Sequence, residues 1–303
     1  MAKVVFMGSP AFAVPSLRAL HADNNEIIAV YTQPPRPAGR GMNEKRSDVH
    51  EAAMELGIPV FFPEKLRGDE LEKVMALDAD VFCVVAYGLL LPKVMVDEKL
   101  CLNVHPSRLP RWRGAAPLQW TLMSGDPDTD ICVMKLDAGM DTGPVVARER
   151  VAIPHDMTLG QLHDLTAVQG AEMLADVVRG LPDIRLVEQE GEATLAPKID
   201  NVVRAIDWKA RAFEVHNKVR GLNPVPSATA LFDGETLKIL ACEIVDGFGA
   251  TGEILSVDAA GVVVGCGEGT VRITRLQRPG SKAMAASDAA RGWPALTVGA
   301  KFA

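Results

Sequence analysis

The chain has 303 residues, of which 48% are hydrophobic and 23% are charged, and its net charge is −7 at neutral pH. This length and composition allow one large and one smaller folded domain and exclude a disordered or fibrous protein. Because no run of about 18 apolar residues is present, we expect neither a membrane span nor a signal peptide.

The cysteines and the distribution of charge give further information on the compartment of the protein and on its partners. The five cysteines are scattered and form no CxxC pair, which favours buried thiols in a reducing, cytoplasmic compartment. Residues 209–303 carry a net charge of +2 and residues 1–208 carry −9. The overall acidity argues against a polyanionic partner, but the near-neutral C-terminal part leaves room for a local basic face.

Short apolar runs alternate with helical patterns through the first half of the chain. The sequence predicts strands at residues 4–7, 27–31, 60–62, 81–86, 102–105, 131–136 and 145–153, and helices at residues 15–22, 48–56, 71–76 and 159–178. This alternation is typical of an α/β fold with a doubly wound, mostly parallel, Rossmann-like sheet. We place this domain at residues 1–182.

The pattern changes after a charged, irregular linker at residues 183–206. A helix is predicted at residues 210–220, followed by five short strands at residues 228–232, 236–244, 252–257, 261–265 and 270–276. We therefore predict a small all-β, OB-like barrel at residues 207–303. Strict alternation along its last strand would place Arg272 and Arg278 on one face and Arg275 on the other, with Lys282 close behind.

A glycine turn, Gly8-Ser9-Pro10, follows the first strand, where doubly wound folds often bind phosphate. It has a single glycine, and Pro10 lacks a backbone donor. Dinucleotide binding is therefore disfavoured, and a tight strand-to-helix connection beside a ligand cleft is the better interpretation.

Polar residues at the end of the 102–105 strand are the strongest candidates for chemistry. Period-two alternation places Asn103 and His105 on one face, while Asp141 lies on a glycine-flanked turn after a later strand. A lone histidine here is more often structural, but a carboxylate beside an imidazole can orient it and favour its protonated form. His105 and Asp141 could also bind a metal, but no third His or Cys follows at ligand spacing, so we expect none.

An amide, an imidazole and a carboxylate without a placed Ser or Cys nucleophile suit acyl or formyl transfer to a substrate that supplies its own nucleophile. The amide and imidazolium would stabilise an oxyanion, and the carboxylate would accept a proton.

The motifs NVHPS at residues 103–107 and DTG at residues 141–143 resemble the catalytic signature of the folate-dependent formyltransferases. The resemblance implies that Asn103, His105 and Asp141 are catalytic and that 10-formyltetrahydrofolate is the co-substrate, without a metal. Segments similar to the family's folate-binding segments supply Tyr87, Gly88, Leu89, Leu90, Ser107, Arg108, Leu109 and Pro110. Arg108 departs from the family pattern, which usually has leucine there.

Further segments resemble the branch of the family that acts on methionyl initiator tRNA. SRLPRWRGAAP at residues 107–117 is similar to that branch's active-site loop, and TQPPRPAGRG at residues 32–41 to its inserted tRNA-binding loop. The resemblance implies tRNA contacts by Arg36 and Arg40, and basic residues on a Pro/Gly frame suit phosphates or base edges. Arg278 and Lys282 are the candidate tRNA contacts of the C-terminal domain. We expect a cytoplasmic monomer with no membrane partner.

Three alternatives stay open. The first is a sugar-nucleotide formyltransferase with the same three catalytic residues. The second is a formyltetrahydrofolate hydrolase, although water needs neither an inserted basic loop nor a docking domain. The third is a catalytically idle RNA-binding protein, which intact Asn103, His105 and Asp141 disfavour.

Overall fold

Helices and strands alternate through the first half of the chain in the computed structural model, which describes residues 1–38 and 43–303. The strands are β1 (Lys3–Gly8), β2 (Glu26–Tyr31), β3 (Arg36–Ala38), β4 (Asn43–Lys45), β5 (Val60–Phe61), β6 (Val81–Val85), β7 (Cys101–His105), β8 (Arg113–Gly114), β9 (Asp128–Lys135), β10 (Val145–Ala152), β11 (Leu195–Ala196), β12 (Ala228–Phe232), β13 (Glu235–Val245), β14 (Ile254–Asp258), β15 (Gly261–Gly265), β16 (Thr270–Gln277) and β17 (Met284–Ala285). The helices are α1 (Val14–Ala22), α2 (Asp48–Glu55), α3 (Asp69–Met75), α4 (Lys93–Glu98), α5 (Pro117–Met123), α6 (Leu159–Arg179), α7 (Asn201–Arg204), α8 (Ala212–Leu222) and α9 (Ala286–Gly292).

The local sequence explains why β6, α1 and α2 form in the first part of the chain. All five residues of β6 are buried, as expected for a strand of a parallel sheet that is covered on both faces. Helix α1 has Pro15 in its first turn, where the missing N–H costs no helical hydrogen bond. Helix α2 begins after Ser47, whose hydroxyl accepts a hydrogen bond from the backbone N–H of His50 at 3.0 Å.

The first sheet has seven strands in the order β10-β9-β7-β6-β1-β2-β5. The pairs β1–β2, β1–β6, β2–β5 and β6–β7 are parallel, and β7–β9 is antiparallel. The chain therefore forms the predicted mostly parallel, doubly wound sheet, with an antiparallel addition at one side. On one side of this sheet, buried residues of β1, β2 and β6 pack with Val74 of α3 and Met95 of α4.

The second sheet, in the C-terminal part, has the order β12-β13-β16-β15-β14, and β17 also pairs with β16. All of these pairs are antiparallel. Val215, Val219 and Leu222 of α8 are buried in its hydrophobic core, as are Ala286 and Ala289 of α9. The predicted combination of an α/β domain with a small β domain is confirmed.

The predicted alternation along β16 is wrong. Compensating register shifts against β13 occur between Ile239 and Cys242, so Val271, Ile273 and Leu276 all face the core. An extra residue in the ladder changes which face the following side chains take. Arg272 and Arg275 therefore both lie on the side away from the core, and Arg278 lies beyond the end of the strand.

The chain divides into two compact units. The first comprises Met1–Gly114, Asp128–Val151 and His163–Leu195, and the second comprises Ala115–Pro127, Ala152–Leu162 and Ala196–Ala303. The domain boundaries expected at residues 182 and 206 stay a prediction.

Two expectations about bulk properties can be compared with the structure. All five cysteines are buried and free, as expected. Among the described helices, none has the length and apolarity that a membrane crossing requires.

Candidate active site

The carboxyl ends of β1 and β6 mark the place in the first unit where a sheet of this strand order is expected to form a crevice. The chain leaves β1 towards β2 on one side and returns to β6 on the other, and Gly8 pairs with Val85 at this point. Ligands of open α/β sheets bind where the strand order reverses in this way. A side chain at position 8 would not fit, because a Cβ there would lie 2.9 Å from the carbonyl oxygen of Val85 and 2.8 Å from the ring of Phe6. Gly8 therefore serves a tight connection, as the sequence indicated.

Ser9 holds together three segments at this crevice. Its hydroxyl donates to the carbonyl of Tyr87 at 3.0 Å and accepts from the backbone N–H of Gln33 at 3.0 Å. Thr32 Oγ1 lies 3.3 Å from the same hydroxyl. These bonds fix the segment predicted to bind folate, in which the side chain of Tyr87 is buried and that of Leu90 is 89% exposed.

Asn103 and His105 lie on the same face at the end of β7. In the register with β9, Asn103 pairs with Met134 and His105 with Cys132. The side chain of His105 is 6% exposed, and its Nε2 lies 3.0 Å from the carbonyl oxygen of Trp112. Because a carbonyl oxygen can only accept, Nε2 must carry a proton, and the other ring nitrogen, Nδ1, is left to interact elsewhere.

Asp141 lies on a turn that other groups hold in shape. Its φ of +52° is unusual for a residue with a side chain and marks a position held by its surroundings. Asp137 Oδ1 accepts from the backbone N–H of Gly139 at 3.0 Å and from the hydroxyl of Thr142 at 2.6 Å. A Cβ at Gly143 would lie 1.9 Å from the carbonyl oxygen of Lys135, so only glycine fits there.

The two predicted catalytic groups meet at this turn. Oδ2 of Asp141 lies 3.6 Å from Nδ1 of His105 and accepts a hydrogen bond from the backbone N–H of Gly114 at 2.8 Å. The distance to His105 exceeds a hydrogen bond but lies within the range of an ion pair. A proton on Nδ1 would therefore meet the carboxylate directly, and the pair can accept and relay a proton.

The second predicted folate-binding segment, residues 107–110, follows β7 directly. Ser107 is fully buried, and its hydroxyl donates to the carbonyl of Arg111 at 2.7 Å. Leu109 packs in a small core with Cys132, Met134 and Val145. The segment is therefore held by its own turn and by apolar packing.

The side chain of Arg108 points to carboxylates. It pairs with Asp128 and, through Nε, with Asp130 Oδ1 at 3.3 Å. The buried Asp130 also binds Arg148 at 3.0 Å, and Arg148 donates to the carbonyl of Leu109 at 2.7 Å. The positive charge of Arg108 is thus neutralised locally.

Arg36 lies on a short hairpin of β3 and β4, where it pairs with Lys45 across the strands. Arg36 is exposed and donates to the side chain of Gln33 at 3.0 Å. Arg40, the other predicted tRNA contact of this loop, lies outside the described residues.

The two predicted tRNA contacts of the C-terminal part differ in their surroundings. Arg278 makes two hydrogen bonds to the carboxylate of Glu235, at 3.0 and 2.6 Å, and stacks on Trp293 with its guanidinium carbon 4.0 Å from the ring centre. The hydrogen bond from Arg278 lowers the pKa of Glu235, so the pair stays ionised at neutral pH. Lys282 is exposed. Lys282 is therefore the better placed of the two for a phosphate.

Comparisons with known proteins identify the family. The formyl transferase family matches residues 2–178, and the formyl transferase C-terminal domain matches residues 198–294. A methionyl-tRNA formyltransferase of Ruegeria pomeroyi is 45% identical over 296 residues, which cover 96% of this chain and 97% of that protein. One of Brucella ovis is 46% identical over 301 residues, with the same coverage. The chain belongs to the methionyl-tRNA formyltransferase family.

This membership confirms the family predicted from the NVHPS and DTG motifs and makes the chain a formyl-transferring enzyme. An N-formyltransferase from Helicobacter canadensis, solved in complex with folinic acid and dTDP-3-aminofucose, aligns with a TM-score of 0.69 over 92% of this chain and 100% of that chain. At 17% identity this similarity shows the shared fold alone. Sugar formyltransferases are thus distant structural neighbours.

Sequence reasoning missed several groups that surround the catalytic pair. The carbonyl of Trp112 and the N–H of Gly114 are backbone groups, which no side-chain motif reveals. Gln189 donates to the carbonyls of Asp141 and Gly143 but lies in a segment interpreted as an irregular linker. A single polar residue in a charged stretch carries no recognisable pattern.

Proposed function

We propose that the protein transfers the formyl group of 10-formyltetrahydrofolate to the amino group of methionyl initiator tRNA. The observation that carries this proposal is the contact between His105 and Asp141, 3.6 Å apart, beside Asn103 at the carboxyl edge of the sheet. These groups can stabilise an oxyanion and accept a proton, which are the two needs of formyl transfer to an amine.

The reaction proceeds by direct attack of the amine nitrogen on the formyl carbon. A new C–N bond forms, the carbonyl electrons move to oxygen, and the amide of Asn103 donates a hydrogen bond to that oxyanion. The ring nitrogens of His105 face Trp112 and Asp141, so protonated His105 contributes chiefly its positive charge. Asp141 takes the proton of the attacking amine through water. The bond between the formyl carbon and N10 then breaks, and the proton that Asp141 accepted passes through water to N10, which leaves Asp141 ready for the next cycle.

The neighbouring nucleophilic side chains support direct attack. The hydroxyl of Ser107 is buried and bonded to the carbonyl of Arg111. Burial raises the pKa of the Cys132 thiol to about 11, so it is not a thiolate at neutral pH. Neither group is suited to forming a formyl-enzyme intermediate.

The folate-binding assignments rest on the family and on the crevice. Tyr87, Gly88, Leu89 and Leu90 follow β6, and Ser107, Arg108, Leu109 and Pro110 follow β7. Because β6 and β7 are parallel neighbours, both segments lie at the same edge of the sheet. The Helicobacter canadensis enzyme, which has the same fold, was solved with folinic acid bound, and this supports folate binding by the present chain.

Recognition of tRNA is assigned to Arg36, Arg40 and Lys282, with Arg278 able to contribute only alongside Glu235. Contacts of arginine and lysine with phosphates fix position without reading sequence, so selectivity for the initiator depends on the loop around Arg40 and on the shape of the acceptor stem. We further propose that the protein is a cytoplasmic monomer, and sedimentation analysis would test its oligomeric state.

The test compares amine acceptors under one formyl donor. Purified protein is given labelled 10-formyltetrahydrofolate with methionyl initiator tRNA, with uncharged initiator tRNA, with a dTDP-amino sugar, or with no acceptor. We expect label to appear on methionyl-tRNA alone. Label on the sugar would indicate that the protein is a sugar-nucleotide formyltransferase. Rapid release of formate without an acceptor would indicate a hydrolase.

A further inference from the structure

Gln189 uses its whole side-chain amide inside the first unit. Its Oε1 accepts two hydrogen bonds from Arg113, from Nε at 3.1 Å and from Nη2 at 2.7 Å. Its Nε2 donates to the carbonyl of Asp141 at 2.9 Å and to that of Gly143 at 2.8 Å. Because a guanidinium only donates and carbonyls only accept, one orientation of the amide satisfies all four bonds.

Gln189 lies on a segment that is tied down on both sides, which we term the strap (residues 187–195). At one end, Val187 exchanges two backbone hydrogen bonds with Val145, at 2.8 and 2.9 Å. At the other end, Thr194 accepts from the backbone N–H of Trp112 and of Arg113, each at 2.9 Å. The strap therefore connects the strand after the Asp141 turn to the loop that contacts His105.

Asp141 is held at two points, one by that loop and one by the strap. Its carboxylate accepts from the N–H of Gly114, and its backbone carbonyl accepts from Gln189, which is itself bound to Arg113. Arg113 and Gly114 are adjacent in sequence, so the four residues form a closed ring of contacts. The ring maintains the left-handed backbone of Asp141, which has a φ of +52°.

We propose that Gln189 is a positioning residue that sets the orientation of the Asp141 carboxylate towards His105. The inference rests on the proposed function, in which Asp141 accepts a proton. Gln189 touches neither reacting group, so it acts through the backbone of Asp141. A displacement of about 1 Å at a catalytic group can reduce the rate about 100-fold without changing the chemistry available.

The variant that isolates this role is Gln189→Glu. The carboxylate keeps acceptors for Arg113 but loses both donors and places negative oxygens against the carbonyls of Asp141 and Gly143. We expect kcat to fall about 10- to 100-fold, with the KM for each substrate within about 3-fold of wild type. Gln189→Ala should give a similar loss, and the matched control Glu190→Gln, an exposed neighbour on the strap, should leave kcat unchanged.

A double-mutant cycle separates positioning from a general loss of folded protein. If Gln189 acts through Asp141, Gln189→Glu should lower the single-turnover rate of Asp141→Asn less than about 3-fold further. An undiminished loss in that background would overturn the inference, as would an unchanged kcat for Gln189→Glu in an active protein. A wild type that transfers no formyl group contradicts the proposed function and this inference together, whereas the other two results contradict this inference alone.

Discussion

Nδ1 of His105 and Oδ2 of Asp141 lie 3.6 Å apart, although one residue ends a strand and the other lies on a distant turn. The opposite ring nitrogen is held by the carbonyl of Trp112, and the carboxylate is held by the N–H of Gly114. Both side chains are therefore fixed before any substrate binds, and only a small movement is needed to bring them into a hydrogen bond. Preorganisation of this kind lowers the reorganisation that the reaction requires.

Replacing Asp141 by Asn removes the negative charge of the side chain and keeps its shape, so it tests the role of the carboxylate in proton transfer. An Asn oxygen can still accept from Gly114, but the side chain can no longer take a proton from the attacking amine. We expect kcat to fall about 10²- to 10⁴-fold, the range of general acid–base catalysis, with little change in KM. Steady-state assays would measure this, with the exposed Asp183→Asn as control. A kcat within 3-fold of wild type would remove Asp141 from the proton transfer.

The carboxylates around Arg108 predict unequal effects of two arginine variants. After Arg108→Leu, Asp128 keeps its ion pair with Arg150 and Asp130 keeps its ion pair with Arg148, so the free energy of unfolding should change by less than about 1 kcal/mol. Arg148→Met leaves the carbonyl of Leu109 and the buried Asp130 without their hydrogen bonds from Arg148, so it should cost about 1–3 kcal/mol. Urea unfolding of both variants tests this. Equal losses would show that Arg108 supports the loop as strongly as Arg148.

The hairpin of β3 and β4 predicts a salt-dependent loss of tRNA use. Arg36→Ala should raise the KM for methionyl-tRNA several-fold, leave the KM for folate unchanged and reduce the salt slope of tRNA binding by about one. Arg179→Ala is the matched control, because Arg179 is exposed and pairs with Asp23 and Asp176. An equal effect of both variants would indicate a non-specific loss of positive charge.

The fold was largely predictable because it rests on periodic patterns. Apolar runs placed β1, β2, β6 and β7, and the 21-residue α6 was recognisable from its amphipathic repeat. The sequence analysis predicts neither the short β3–β4 hairpin nor α5. The hairpin has no apolar period, and α5 begins at the end of the motif assigned to the active-site loop. Alternation failed along β16, where register shifts move Leu276 onto the core side.

The catalytic side chains could be predicted because they stand in sequence motifs. The backbone groups that hold them could not. Asn103, His105 and Asp141 stand in recognisable sequences, and the structure brings His105 and Asp141 together. The partners that hold them are the backbone of Trp112 and Gly114 and the isolated Gln189. Their positions depend on tertiary contacts between residues distant in sequence. The ion pair between Arg278 and Glu235 could not be predicted from the sequence for the same reason.

A buried histidine in the second unit predicts a pH-dependent stability. Burial, together with the nearby charges of His155 and Arg220, lowers the pKa of His216 to about 4 from 6.5, against an opposing effect of Asp156. Between pH 4 and pH 6.5, His216 therefore binds a proton in the unfolded chain but not in the folded chain. The free energy of unfolding rises with pH across this window. Below pH 4 the contribution is lost.

We expect the free energy of unfolding to decrease by about 3 kcal/mol between pH 6.5 and pH 4 through this group alone. His216→Phe preserves a ring that can stack on His155 and should flatten the decrease, whereas the exposed His21→Gln should not. Chemical unfolding across this pH range gives the comparison, and identical slopes for wild type and His216→Phe would refute the assignment.

The most direct measurement is the single-turnover transfer of labelled formyl from 10-formyltetrahydrofolate to methionyl initiator tRNA, by wild type and by Asn103→Ala. The account predicts formylmethionyl-tRNA with the wild type and a rate about 10²- to 10³-fold lower for the variant, the usual loss when one oxyanion donor is removed. Equal rates for the two proteins, or no product with the wild type, would contradict it.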